Sequence, residues 1–117
     1  MELSLDVLDG TDGRYAEGLP VTLQQGVDGQ WRVVATGQVS HGELALATDG
    51  GSPGCYRLRL NLDRYFLPLG TEPALAQIDL TFRVFQADER VRLMLTVAPA
   101  AVSIAGAAPR TTRAGAP

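Results

Sequence analysis

The chain has no lysine, one cysteine, one histidine and no long apolar run, and each shortage removes a class of function. Without lysine no Schiff base can form. The ten cationic side chains are all arginines, suited to fork-like contact with carboxylates or phosphates. Cys55 alone allows no intrachain disulfide, so a redox pair would need a second subunit. One His and one Cys cannot supply the three or four ligands of an ordinary Cys/His metal site, and no metal or cofactor is expected. No apolar stretch approaches the roughly 20 residues of a membrane-spanning helix. The Met1 end also lacks a basic segment followed by an apolar core, so a cytoplasmic location without a membrane partner is expected. A formal net charge of −3 gives no electrostatic footprint for nucleic acid.

What is present is alternation. The 117 residues suffice for one core, and the sequence divides into a sandwich over 1–105 and an Ala/Gly/Pro/Arg tail over 106–117, expected to be flexible. Apolar residues recur with period two along Leu3–Val7, Leu19–Leu23, Tyr56–Leu62, Ile78–Val84 and Val91–Val97. Successive strand side chains point to opposite faces, so each run buries one face and leaves the other polar. Turn signals separate the runs: Asp9-Gly10, Asp12-Gly13, Asp28-Gly29, His41-Gly42 and Asp49-Gly50-Gly51. Strands near Trp31–Gln38 and Glu43–Thr48 complete seven, and a short eighth follows Pro99. One helical stretch, Leu62–Leu69, has Asp63 as its expected cap and Pro68 as its stop. The expected class is an all-β, two-sheet sandwich of seven to eight strands with one short helix. Trp31, Tyr65 and Phe66 are read as core anchors, and Cys55 as a small buried hydrophobe.

Four segments, in order, resemble the transthyretin and 5-hydroxyisourate hydrolase family. LSLDVLDGTDGRYAEGLPVTLQQ is similar to its first hairpin. DGQWRVVATGQVSHGEL is similar to its Trp-containing strand and the Asp-Gly-Arg turn that follows. GCYRLRLNLDRYF is similar to its Gly-x-Tyr strand and short helix, and IDLTFRVFQADERVRLMLTVAP to its final strand pair. The resemblance spans about residues 2–108. It implies a transthyretin-like sandwich, protomers paired through edge strands, and a homodimer or homotetramer with a central channel. In the hydrolases each channel end holds two His, one Arg and a C-terminal Tyr-Arg-Gly-Ser, which open the ring of 5-hydroxyisourate.

Those side chains are replaced here. The first-strand His falls on Asp6, and the Arg of the turn on Glu43, with His41 in place of the preceding Asp. The later His falls on Arg92, and the C-terminal tetrapeptide on Ala105, Gly106, Ala107 and Ala108. No aligned imidazole remains to shuttle a proton, and Glu43 repels an oxyanion where an Arg would hold one. The old hydrolysis is therefore not expected.

The candidate catalytic set is Asp6, Glu43, Arg92 and His41. Ser4, Arg90, Met94 and Thr96, on the polar side of the alternation, and Ser103, a hydroxyl near a strand end, are candidate substrate contacts. Two carboxylates beside an arginine can divide into acid and base, which suits isomerisation, cyclisation or another ring opening of a small organic substrate. An Arg-only, Ala- and Gly-rich chain fits a high-GC genome, where specialised metabolism is a natural setting. Solvated surface charges or interface ion pairs are the plain alternative for the three replacements, and an exposed loop imidazole is the plain reading of His41. Arg57, Arg59 and Arg64 could hold an anion, but a solvated strand face accounts for them. Asp49–Gly54 lacks the spacing and following helix of a phosphate loop. A non-catalytic small-ligand-binding or assembly module is the second functional class, with residual 5-hydroxyisourate hydrolysis behind it.

Overall fold

A computed structural model describes residues 1–48 and 52–106; the expected turn at Asp49-Gly50-Gly51 and the expected tail from Ala107 onward lie outside the described residues. Among the described residues there are nine strands and one short α-helix: β1 (Glu2–Asp9), β2 (Arg14–Tyr15), β3 (Pro20–Val27), β4 (Gln30–Gln38), β5 (Glu43–Ala47), β6 (Gly54–Asn61), α1 (Leu62–Phe66), β7 (Gln77–Val84), β8 (Arg90–Ala98) and β9 (Ala101–Ala105). The two-residue β2 has no period to read and was not expected; β9 is the short strand after Pro99.

The strands form two sheets. In sheet A, β1 is central: β8 runs parallel along one edge, with β9 beyond it, while β5 and then β2 pair antiparallel along the other. Sheet B has the order β4-β3-β6-β7, all antiparallel. Leu3, Leu5, Val7, Leu93, Leu95 and Val97 from sheet A meet Val21, Leu23, Tyr56, Leu58 and Leu60 from sheet B in one core. Burying each Leu stabilises the fold by about 1.5–3 kcal/mol. The all-β sandwich is as expected.

Two turns carry the signals that announced them. Asp28 and Gly29 have φ of 51° and 75°, and His41 and Gly42 have 53° and 79°. Positive φ at both central residues is the two-residue turn whose twist matches that of the flanking strands.

Four local expectations need correction. Asn61, not Asp63, caps α1, its Oδ1 accepting from the Arg64 N–H at 3.1 Å; a cap must stand outside the first turn, and Asp63 is already inside it. The helix passes into a 3-10 turn over Leu67–Leu69, where Pro68 sits near the start, and Gly70 at φ 86° ends it. Trp31 is 36 % exposed rather than a core anchor. Leu23 pairs with Ala35 but Gln24 with Val33, so Val34 is an extra residue. One such bulge exchanges inner and outer positions for the rest of β4. Trp31 therefore lies outside, beneath the Arg57 guanidinium at 4.5 Å from its ring centre. Cys55 is only half-buried, because it alternates outward beside the inward Tyr56. Tyr65 and Phe66 are buried as expected, with ring centres 4.8 Å apart.

Candidate functional site

Since Leu3, Leu5 and Val7 point into the core, Ser4, Asp6 and Leu8 point out from sheet A. Register extends that outer face sideways. Asp6 stands opposite Glu43 on β5 and Met94 on β8, while Ser4 stands opposite Ala45 and Arg92. Arg90 and Thr96 lie on the same side of β8, and Thr96 is opposite Ser103 on β9. Eight of the nine candidate positions thus share one face, because four strands in register, β1, β5, β8 and β9, turn one alternation into one surface.

At its centre is a depression of about 270 Å³, bordered by Asp6, Glu43 and Arg92, floored by Ser4 and Ala45, and closed beneath by Leu5 and Leu44. The hollow exists because Ser4 and Ala45 are short where their neighbours are long. Arg92 donates to Asp6 Oδ2 from Nη2 at 2.9 Å and from Nε at 3.3 Å. The Arg92 side chain is 71 % exposed and that of Asp6 29 %, so the pair contributes only about 0–1 kcal/mol. No described residue pairs with the Glu43 carboxylate. Farther along the face, Arg90 and Glu2 stand 3.6 Å apart, both strongly exposed.

His41 is the ninth candidate and does not border the depression. It occupies the turn before β5, with its Nδ1 3.2 Å from Ser40 Oγ. Thr96 and Ser103 are farther along the sheet, and neither borders the hollow. Of the tetrapeptide positions, Ala105 pairs with Met94, and Gly106 lies against the Arg92 and Met94 backbone. Ala107 and Ala108 lie outside the described residues. Among the described residues no cluster of three or more His, Cys, Asp or Glu is arranged to hold a metal ion, and no helix is long and apolar enough to cross a membrane.

Residues that hold the site together escaped the sequence reading. Ser40 and Glu43 exchange backbone hydrogen bonds across the turn, and the Gly42 carbonyl accepts from Val7 N–H at 2.9 Å. Gly42 N–H donates to Glu17 Oε1 at 2.8 Å. The Tyr15 ring covers Gly42 so closely that a Cβ there would overlap it. Glu17 and Tyr15 therefore set the turn that delivers Glu43 beside Asp6. A glycine at positive φ before a strand was the one available hint. A second depression, of about 310 Å³, lies between this clamp and α1. There Asp9, 2 % exposed, accepts from Tyr65 Oη and Thr11 N–H, each at 2.8 Å. Burial, reinforced by the hydrogen bond to Asp9, pushes the Tyr65 hydroxyl well above its usual range.

A two-sheet sandwich of this topology with one helix after β6 defines a fold class, and comparison with known proteins supplies the family. The HIUase/Transthyretin family model matches residues 3–104, and the chain belongs to that family. Klebsiella pneumoniae 5-hydroxyisourate hydrolase is similar in structure, with a TM-score of 0.77 and 22% identity over 92% of this chain and 98% of that one. Sea bream transthyretin in complex with thyroxine aligns with a TM-score of 0.81 and 22% identity, over 95% and 98% of the two chains. An (S)-allantoin synthase aligns with a TM-score of 0.72 and 24% identity over 88% of this chain, which spans 42% of the synthase chain. At such identities the likeness is one of fold. A search of curated proteins finds no match.

Proposed function

We propose that this protein is a small-molecule enzyme of its family in which imidazole-driven hydrolysis has given way to acid/base conversion by carboxylates. The conversion is an isomerisation, a cyclisation or another ring opening, carried out on the outer face of sheet A, which would line the channel of a family-like tetramer. One observation carries the reading: Asp6, Glu43 and Arg92, which the sequence resemblance sets at catalytic positions of the hydrolases, border a single hollow. Glu43, without a partner among the described residues, serves as the base. Arg92 is oriented by Asp6 through two of its five N–H groups, leaving donors for an oxygen on which charge develops. The similar fold within 42% of an (S)-allantoin synthase chain is in keeping with a scaffold found in proteins of more than one activity. A setting in specialised metabolism belongs to the same proposal.

The test is incubation of the full chain with a small-molecule extract, followed by mass spectrometry. A product growing with protein concentration, and reduced about a hundredfold or more by Glu43→Gln, supports the enzyme. A compound retained but recovered unchanged returns the reading to a binding module. That second reading draws on the Asp6–Arg92 pair, already satisfied within the sheet, and on the thyroxine complex of the similar sea bream protein. Freshly made 5-hydroxyisourate, followed by its ultraviolet absorbance, is expected to decay no faster with protein than in buffer; acceleration would restore the inherited reaction.

A further inference from the structure

The three charges at the hollow do not balance. β1 lies between β5 and β8, so Asp6 stands in the middle with Glu43 on one side and Arg92 on the other. Arg92 closes on Asp6 and balances it. Glu43 is the direct cross-strand neighbour of Asp6, a position about 4.5–5.5 Å away at Cβ, where like charges destabilise a sheet. No described residue offsets it. Between the charges, Ser4 and Ala45 leave room beside both carboxylates; Met94, 52 % exposed, stands outside the hollow's lining as the β8 neighbour of Asp6, an apolar surface within reach of a ligand that extends past Asp6.

The second depression sharpens the point. Its carboxylates are all engaged: Asp9 with Tyr65 and Thr11, Asp12 with Arg14 at 2.8 Å, and Glu17 with the Gly42 N–H. Of these two depressions, the hollow on sheet A is the one bordered by a carboxylate without a partner among the described residues.

We propose that the ligand of this face is an organic cation. Its planar N–H-bearing group, an amidinium or guanidinium, docks between Glu43 and Asp6 while its apolar body lies along Met94. This rests on reading the face as a small-molecule site. A planar N–H fork matches carboxylate geometry, whereas a round ammonium lacks the fixed fork needed to address two separate carboxylates. A ligand arriving with a full negative charge would meet Glu43 uncompensated and an arginine already balanced by Asp6.

Three probes of one shape and different charge test it: benzamidinium, neutral benzamide and benzoate, titrated into isotopically labelled full chain and followed by NMR. Benzamidinium is expected to move the amides of residues 4–6 and 43–45 and to bind about tenfold or more tighter than either of the others, as a charge-assisted contact implies. Glu43→Gln is expected to weaken it about tenfold. Arg92→Ala, which frees Asp6, is expected to tighten it. Benzoate or benzamide binding here as tightly as benzamidinium overturns the cation while leaving a small-molecule site. Benzamidinium weakened by Arg92→Ala overturns the docking between the two carboxylates. All three probes leaving these amides unmoved overturns both the cation and the reading of the face.

Discussion

The two outer faces of the sandwich draw on the same residue types and arrange them to opposite ends. On sheet B, Arg59 grips Asp79 with hydrogen bonds of 2.8 and 3.1 Å. Arg57 donates to Gln24 at 2.8 Å and lies over Trp31. On sheet A, Arg92 grips Asp6 through Oδ2 alone, at 2.9 and 3.3 Å, yet Glu43 is left over and short residues hold a hollow open beside it. A strand face seals when long polar side chains meet partners across it. It opens when small residues separate charges of unequal number.

The comparison breaks most sharply on function. Glu43→Gln is expected to lower turnover of the identified substrate about a hundredfold or more while leaving thermal stability nearly unchanged. Asp79→Asn on the opposite face should leave turnover within about twofold, since outer positions away from a site are usually neutral. Equal losses would erase the distinction between the faces.

Next in size is the clamp behind Glu43. Gly29 and Gly42 have similar positive φ, 75° and 79°, but only Gly42 has the Tyr15 ring where a side chain would go. Alanine at Gly29 should cost about 1–2 kcal/mol for its left-handed backbone. Alanine at Gly42 should cost about 1 kcal/mol more, because Tyr15 must also move. Denaturant unfolding checks it; equal costs would remove Tyr15 from the account.

Tyr65→Phe is expected to cost about 1–2 kcal/mol, since Asp9 keeps a buried oxygen that has lost its donor. It should also change the alkaline limb. The Tyr65 hydroxyl resists ionisation in the folded state, mainly through burial, whereas in the unfolded chain it ionises near 10.0. Its contribution is thus complete below that pH and lost as pH rises beyond it. The variant should fall less steeply there, with the remaining slope owed in part to Tyr56, whose hydroxyl burial also shifts upward.

The smallest effect is on the acid side. The hydrogen bond from Arg59 holds the Asp79 carboxyl below its usual 3.8, so its stabilisation is present above that pH and disappears as pH falls further. Asp79→Asn should be slightly less stable than the parent near neutrality and converge with it in strong acid. A gap persisting in acid would assign the difference to packing instead.

Much of the fold was legible because burial on one face imposes period two locally. Leu3, Leu5 and Val7, or Tyr56, Leu58 and Leu60, need no partner in view to declare their side, and Asp28-Gly29 and His41-Gly42 announce their turns through tolerance of positive φ. Trp31 misled because the extra residue at Val34 reverses the faces of β4, and nothing in VVAT marks which residue is unpaired. Asp63 misled because cap chemistry is shared by Asn61, and the helix start differs by two residues.

The site divides along the same line. That Asp6, Glu43 and Arg92 lie on polar strand faces followed from alternation within each segment. That Arg92 closes on Asp6 rather than Glu43 did not, nor did the support of Gly42 by Tyr15 and Glu17. The sequence alone determined which side chains face outward, since that depends on neighbours two residues away. Only the tertiary structure decided which charges meet and which one is left over. Strand order and register are settled by packing the whole core, and they join residues tens of positions apart.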